Sequence, residues 1–221
     1  MLDSSLPILE LTIRVGLLST ALCLPFAIGI GYGLARRRVP FPSLVRALIS
    51  LPMVMPPVAV GLVLLWLFGT TSPIAPLWRW LGIELIFTPG AAVVAAAVVG
   101  FPLLARSAEQ SFAEIDTRYE EVARTLGASR FATFFRVTLP LARRGLLYGS
   151  LLCFARALGE FGATAVIAGI IPGRTETLSL GIWSRIQLGD DSGAAALVGL
   201  SFALALASMI AAERWLRPGH K

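Results

Sequence analysis

The most constraining feature of the sequence is a series of apolar runs that are long enough to cross a lipid bilayer. Residues 15–35 contain no charged side chain, and the same holds for residues 192–212. A helix needs about 20 apolar residues to span the hydrocarbon core. Only 14% of the residues are charged and 56% are hydrophobic, whereas about a quarter of the residues of a soluble domain are charged. The sequence therefore predicts a membrane protein rather than a soluble enzyme or a disordered chain.

The apolar runs predict an all-α, polytopic helix bundle that forms a single membrane domain over residues 1–221. Five membrane-spanning helices are expected, at about residues 11–35, 45–68, 87–106, 143–170 and 192–213. The first ten residues include Asp3 and Glu10 and no basic side chain. A cleaved signal peptide would begin with a basic region, so we expect the first helix to remain in the mature protein.

The basic residues predict the orientation of the chain in the membrane. Arg36, Arg37 and Arg38 follow the first span, and placing them in the cytoplasm puts 14 of the 19 basic residues on that side. Because cytoplasmic loops are enriched in basic residues, we predict an external N-terminus and a cytoplasmic C-terminus. Basic loops on the cytoplasmic side also explain why the chain has an excess of basic residues, with a net charge of +6. Nucleic-acid binding is not expected, because it would need a basic face with interleaved aromatic residues.

Few residues have the chemistry of a metal or catalytic site. Both cysteines, Cys23 and Cys153, lie in apolar runs, and His220 is the only histidine. We therefore expect no metal site and no disulfide framework. An intramembrane enzyme would need a nucleophile and a base within the membrane, so no catalytic residue is predicted. A secondary transporter or channel is a remoter alternative, because the inverted repeats of many secondary transporters are missing from the sequence.

One long polar segment, residues 107–142, separates the third and fourth predicted spans and is expected in the cytoplasm. Residues 118–126 have helical periodicity, and Gly127 is a suitable helix stop. Ser129 is a suitable cap for a second helix over residues 130–137, after which Leu139 and Pro140 lead into the next span. The pattern predicts a helix-turn-helix beneath the bundle. A solvated linker is the alternative interpretation.

The same segment resembles the cytoplasmic signature of ABC importer permeases. That signature is Glu-Ala-Ala, three residues, Gly, nine residues, Ile, one residue and Leu-Pro, and this sequence departs from it at Val122 and Val137. The resemblance implies a type I ABC importer permease fold with a coupling helix that contacts a separate ATPase. The residues that it assigns to coupling are Glu120, Glu121, Val122, Ala123, Arg124, Gly127, Ala128, Leu139 and Pro140.

The resemblance also implies the partners of the chain. The sequence lacks the Gly-x-x-x-x-Gly-Lys-Ser/Thr phosphate loop. We therefore expect ATP and magnesium to be bound by two copies of a cytoplasmic ATPase subunit, with no cofactor in this chain. Two copies of this chain would enclose the transport path and alternate between inward-facing and outward-facing states.

Within that family the sequence is similar to molybdate permeases of the bacterial or archaeal inner membrane. The similarity lies in residues 51–61 (LPMVMPPVAVG), 155–164 (ARALGEFGAT) and 171–178 (IPGRTETL). It implies import of molybdate, or of tungstate, delivered by an external molybdate-binding protein. Sulfate permeases share part of the second motif, so a sulfate or thiosulfate importer is the alternative.

Two groups of residues are candidates for the transport path and for docking of the binding protein. Arg156 and Glu160 share one helix face, and charged residues within a membrane usually face the bundle interior or a wet path. They form either an electropositive path for an oxyanion or an ion pair that neutralises itself. The candidate path residues are Pro56, Pro57, Arg156, Gly159, Glu160, Gly162 and Thr164. The candidate docking residues, whose alternative is an ordinary loop, are Pro172, Gly173, Thr175 and Thr177.

Overall fold

A computed structural model describes residues 2–82 and 84–216, and in that part the chain forms helices and no strands. The first helix, α1 (Leu2–Ala35), is the longest. It begins before the predicted start of the first span and ends where the three consecutive arginines begin. Arg37 has a φ of 51° in this turn. His220 lies outside the described residues.

The second predicted span, 45–68, is not one helix. It consists of α2 (Pro42–Val54) and α3 (Pro57–Phe68), whose axes are bent by 110°. The break follows from the two consecutive prolines: Met55 precedes Pro56 and is extended, with φ −69° and ψ 145°. Pro57 then starts α3, a position where its missing N–H costs nothing. A short helix, α4 (Ala75–Trp80), follows.

The centre of the bundle is α5 (Pro89–Ala113), which packs against α1 on one side and α8 (Leu139–Leu158) on the other. It continues past residue 106, the predicted end of the third span. Its contacts depend on small residues. A Cβ atom on Gly31 of α1 would lie 2.8 Å from the Ala108 Cβ atom, and one on Gly149 of α8 would lie 2.6 Å from the Ser107 Cβ atom. Close helix packing of this kind is typical of membrane proteins.

The predicted helix-turn-helix is confirmed in outline, but most of the expected loop 107–142 is helical. After α5 come α6 (Arg118–Thr125) and α7 (Arg130–Thr133), and a π-helical segment (Phe134–Thr138) joins α7 to α8. The second helix therefore does not end at residue 137. Its backbone remains helical from residue 130 to residue 158, so α7, the π segment and α8 form one continuous rod.

The predicted span 143–170 is also broken. Helix α8 ends at Leu158, and α9 (Gly162–Ile167) starts after a turn. The helices α10 (Leu178–Gln187) and α11 (Asp191–Leu216) complete the described chain. Within the described residues three helices, α1, α5 and α11, are long and apolar enough to cross a membrane, and the bent α2–α3 pair would be a fourth. The predicted number of five spans is therefore not confirmed.

Candidate coupling and translocation sites

The turn after α6 is fixed by its own backbone. The Ala128 N–H donates to the Ala123 carbonyl and the Gly127 N–H donates to the Arg124 carbonyl, each at 3.0 Å. This is the Schellman pattern, and it needs a left-handed residue, which Gly127 supplies with a φ of 88°. The Ser129 Oγ atom accepts from the Ala132 N–H at 3.2 Å. The predicted helix stop at Gly127 and the predicted cap at Ser129 are both confirmed.

A set of large apolar side chains on α6, the turn after it, α7 and the π segment is not covered by the rest of the described chain. The most exposed is Leu126, with 83% of its surface accessible. We call this set the coupling surface, and it consists of Tyr119, Val122, Leu126, Phe131 and Phe135. An exposed apolar patch usually marks an interaction site. The rings of Phe131 and Phe135 lie 4.4 Å apart, centroid to centroid, so the patch has an aromatic end.

The predicted coupling residues differ in how much of their surface is exposed. Those open to a partner are Glu121, Val122, Arg124, Gly127 and Pro140, whereas Ala123, Ala128 and Leu139 are half-buried. Glu120 differs from the others because only 7% of its surface is accessible. The structure therefore places most of Glu120 inside the chain, at the wall of a cavity of about 440 Å³ that Phe131 and Phe135 also line.

The carboxylate of Glu120 is held by residues from two other parts of the chain. Its Oε1 atom lies 2.7 Å from Arg36 Nη2 and 3.0 Å from Arg36 Nε. The Thr138 hydroxyl donates to Oε1 at 3.1 Å, and the Tyr32 hydroxyl donates to Oε2 at 3.4 Å. Sequence analysis assigned Arg36 only to membrane orientation, and it missed Tyr32 and Thr138. No local spacing links residues that lie 84 and 18 positions apart from their partner.

The α8 helix connects the coupling residues to the charged pair Arg156 and Glu160. Leu139 and Arg156 stand at its two ends, about 25 Å apart at the rise of an α-helix. Arg156 Nη1 lies 2.9 Å from Glu160 Oε2, and the two side chains are 35% and 2% exposed, respectively. The other oxygen, Glu160 Oε1, accepts from the Ala163 N–H at 2.9 Å. Glu160 therefore caps the start of α9 while it neutralises Arg156.

The two short helices α3 and α9 pack against each other beside this pair. A Cβ atom on Gly162 would lie 2.8 Å from the Pro57 Cβ atom, and one on Gly61 would lie 2.9 Å from the Ala163 Cα atom. Of the predicted path residues, Pro56, Pro57 and Gly159 are exposed, whereas Gly162 and Thr164 are buried. Thr164 is 1% exposed, so its hydroxyl does not face an open path in this conformation.

The predicted docking turn is also divided between exposed and buried residues. Pro172 and Gly173 are exposed, and Gly173 has a φ of 72°. Thr175 and Thr177 are buried. The Thr175 hydroxyl donates to the Gly169 carbonyl at 3.0 Å and accepts from the Ile171 N–H at 3.1 Å. The Thr175 side chain thus stabilises the turn and is not available to a partner.

A cavity of about 660 Å³ lies between this turn and the first part of α1. Three arginines, Arg14, Arg174 and Arg185, and two glutamates, Glu10 and Glu176, are among its lining residues. Arg185 Nη1 is 3.3 Å from Glu176 Oε1, and Arg14 pairs with Glu10 at 2.5 Å. Sequence analysis did not predict this cavity, because its walls come from segments that are far apart in the chain.

Comparison with known proteins links this architecture to transport. Residues 26–220 match the family described as binding-protein-dependent transport system inner membrane component. The chain is 42% identical over 208 residues to the molybdenum transport system permease protein ModB of Escherichia coli (strain K12), covering 93% of this chain and 90% of ModB. It is 40% identical over 172 residues to the sulfate transport system permease protein CysW of Synechococcus elongatus, covering 78% of this chain and 60% of CysW.

The fold has a counterpart among solved structures. A chain of the inward facing MetNI methionine ABC transporter superposes with a TM-score of 0.69 at 20% identity, covering 98% of this chain and 94% of that one. The predicted all-α fold of an ABC importer permease is therefore confirmed.

Proposed function

Because the chain belongs to the family of binding-protein-dependent inner membrane transport components, we propose that it is the membrane-spanning permease subunit of an ATP-driven molybdate importer. The observation that carries this proposal is the coupling surface on α6 and α7, which displays Leu126 and Phe131 to a partner beside the exposed Glu121. The spacing from Glu121 through Gly127 to Pro140 matches the signature of permeases that bind an ATPase.

The ATPase would be a separate subunit that covers the coupling surface from the cytoplasm. Two copies of it would bind ATP and magnesium, so this chain would be a non-catalytic transport subunit without a cofactor of its own. An apolar patch with Glu121 and Arg124 at its side suits a groove in a protein partner, since the apolar groups supply contact area and the charges fix the orientation. The continuous rod from residue 130 to residue 158 would then carry movement into the membrane.

The transport path would lie between two copies of this chain. The broken α2–α3 pair and the short α9 helix give irregular backbone within the apolar part of the molecule. Such backbone is tolerated where protein or a wet cavity satisfies it. Opening first to the outside and then to the cytoplasm would move the substrate through by alternating access.

The substrate would be a tetrahedral oxyanion. Molybdate is favoured because the similarity to ModB covers 93% of this chain, against 78% for the sulfate permease CysW. Tungstate has the same shape and charge as molybdate and is a second candidate cargo. Since Glu160 neutralises Arg156, the path itself would hold an anion weakly, and selection would come mainly from an external binding protein that docks near Pro172 and Gly173.

A reconstitution experiment tests the substrate. The permease and its ATPase are placed in liposomes, and the binding protein is added after loading with molybdate, tungstate or sulfate. We expect molybdate-loaded protein to stimulate ATP hydrolysis and uptake, and empty protein to give only the basal rate. Stimulation by the sulfate-loaded protein alone would instead assign the chain to sulfate import.

A pair of matched variants tests the coupling surface. Leu126 and Leu188 each follow a helix and are 83% and 80% exposed, but Leu188 lies at the opposite end of the molecule. We expect Leu126→Ser to weaken co-purification of the ATPase and Leu188→Ser to leave it unchanged. Equal effects of the two variants would contradict the assignment of α6 to the ATPase.

A further inference from the structure

The two adjacent glutamates of α6 have opposite surroundings. Glu121 is exposed beside the coupling surface, whereas Glu120 faces α1 and the π segment. The Glu120 and Arg36 side chains are only 10% and 9% exposed. A buried charge is costly unless it is paired and hydrogen-bonded, and this carboxylate accepts bonds from Arg36, Thr138 and Tyr32.

We propose that Glu120 and Arg36 are positioning residues, which fasten the coupling helix to the first membrane helix so that both move together when the ATPase acts. We call the carboxylate of Glu120 with Arg36, Tyr32 and Thr138 the Glu120 junction. This inference rests on the proposed function, but it concerns a contact that lies inside the permease. Neither residue of the ion pair is one of the exposed apolar residues that form the coupling surface.

The junction joins three parts of the chain at one carboxylate. Tyr32 and Arg36 come from the end of α1 and the turn after it, Glu120 from α6, and Thr138 from the last position of the π segment. Arg36 Nη1 also donates to the Ile115 carbonyl at 3.2 Å, in the connection between α5 and α6. Thr138 directly precedes α8, so a displacement of α6 is passed to α1 and α8 at the same time.

The packing around α6 makes this ion pair the main link to α1. The helix contacts α7 and the π segment most extensively among the described elements, and its contacts with the membrane helices are sparser. The large apolar side chains of α6 point to the exposed side instead. Two N–H groups of Arg36 donate to the same Glu120 oxygen, Oε1. Charge-assisted hydrogen bonds are strong and directional, which apolar contacts are not. The π segment also supports a mechanical role, because π-helical turns are frequent at functional sites.

The test uses the complete complex of permease, ATPase and loaded binding protein in liposomes. It measures co-purification of the ATPase, stimulated ATP hydrolysis and the amount of substrate imported per ATP. We expect Glu120→Gln to keep the ATPase bound but to reduce the substrate imported per ATP by about ten-fold. Arg36→Gln should act in the same way, and the double variant should be no worse than either single one, because both remove the same link.

Two further variants keep the test decisive. Thr138→Val removes one hydrogen bond and should reduce import per ATP by about three-fold, even if the Glu120 variants do not fold. Ser208→Ala removes a hydrogen bond to the Leu204 carbonyl within α11, away from the coupling surface and the docking turn, and should leave the ratio unchanged.

The outcomes separate this inference from the proposed function. If the Glu120 variants lower the yield of complex but leave import per ATP unchanged, the junction is purely structural and the inference is overturned. If they release the ATPase, Glu120 contacts the partner and the inference is overturned as well. Failure of the unaltered complex to import any oxyanion would instead overturn the proposed function.

Discussion

The hydroxyl of Thr12 on α1 accepts a hydrogen bond of 2.9 Å from the N–H of Leu178, the first residue of α10 and 166 positions further along the chain. The same hydroxyl donates to the Ile8 carbonyl at 2.7 Å. The residue before α10, Thr177, does not cap the helix with its own side chain. A residue of α1 therefore supplies the cap of α10 and fixes the start of α10 to the first helix.

Replacement of Thr12 by valine should loosen α10. The shape of the side chain is nearly kept, but the Leu178 N–H loses its buried acceptor, which costs about 2 kcal/mol. Unfolding in detergent should show the lower stability, and hydrogen exchange should show faster exchange of the Leu178 amide. Ser208→Ala is the control, because its hydroxyl bonds the Leu204 carbonyl of the same helix. Equal losses in both variants would mean that the bond to Leu178 has no special role.

Gly127→Ala should weaken binding of the ATPase without a steric clash. No atom lies within 4 Å of a Cβ atom placed on Gly127, but the φ of 88° is unfavourable for alanine. The strain is about 1–2 kcal/mol, and the turn after α6 can relieve it by changing its angle. The affinity for the ATPase should fall about ten-fold, because binding must restore the original turn.

Gly29→Ala is the matched control for that measurement. Gly29 lies inside α1 and also has open space around its Cβ position, without a positive φ. A titration of the ATPase against each purified variant in detergent gives the affinities. If Gly127→Ala binds as tightly as Gly29→Ala, the left-handed turn does not determine the orientation of the coupling surface.

Gly145→Ala should separate α5 from α8. A Cβ atom on Gly145 would overlap the Ser111 hydroxyl and lie 2.9 Å from the Ser111 Cβ atom. Overpacking of this kind costs about 1–3 kcal/mol. Ser111→Gly removes the obstructing atoms, so the double variant should recover much of the lost stability in detergent unfolding. Strictly additive losses would show that the two residues do not meet.

The cap at the start of α11 should lose its stabilising effect at acidic pH. The Asp190 carboxylate accepts from the Gly193 N–H at 2.9 Å and from the Ser192 hydroxyl at 3.0 Å. These bonds, with a smaller contribution from Arg185, lower the pKa of Asp190. A lowered pKa means that the ionised cap stabilises the folded state above the unfolded pKa, about 3.9, and that this stabilisation is lost as the pH falls through the folded value.

Hydrogen exchange at the Gly193 amide checks this expectation. Protection should decrease as the pH is lowered through the acidic range, after correction for the intrinsic rate. Asp190→Asn keeps a cap but cannot titrate, so its corrected protection should be independent of pH in that range. The same acid-dependent loss in Asp190→Asn would assign the effect to another group.

The sequence predicted the coupling segment better than it predicted the membrane helices. The stop at Gly127 and the cap at Ser129 depend on backbone preferences within a few residues, and both were found. The spans 45–68 and 143–170 were predicted as continuous because hydropathy measures length and polarity only. Each is broken, the first after Val54 and the second after Leu158. The first break occurs at Pro56 and Pro57, and the second half, α3, packs against α9 at an angle of 110° to α2.

The candidate site also combines features that the sequence predicts with features that only the fold determines. The exposure of Val122 and Leu126 follows from an apolar face that the rest of the described chain does not cover. The different roles of Glu120 and Glu121 could not be read from the sequence, because adjacent residues of the same type differ only in what the fold places next to them. Thr175 and Thr177 were predicted as docking residues, and their burial became visible only in the folded turn.

By itself the sequence determined the membrane environment, the helical class and the turn after α6, since these depend on apolar length and on the conformational preferences of single residues. The tertiary structure alone decided that Arg36 holds Glu120, that Thr12 caps α10 and that Glu160 caps α9. The physical reason is that a buried polar group must find a partner wherever the chain brings one near. Sequence distance therefore carries little information about which partner that is.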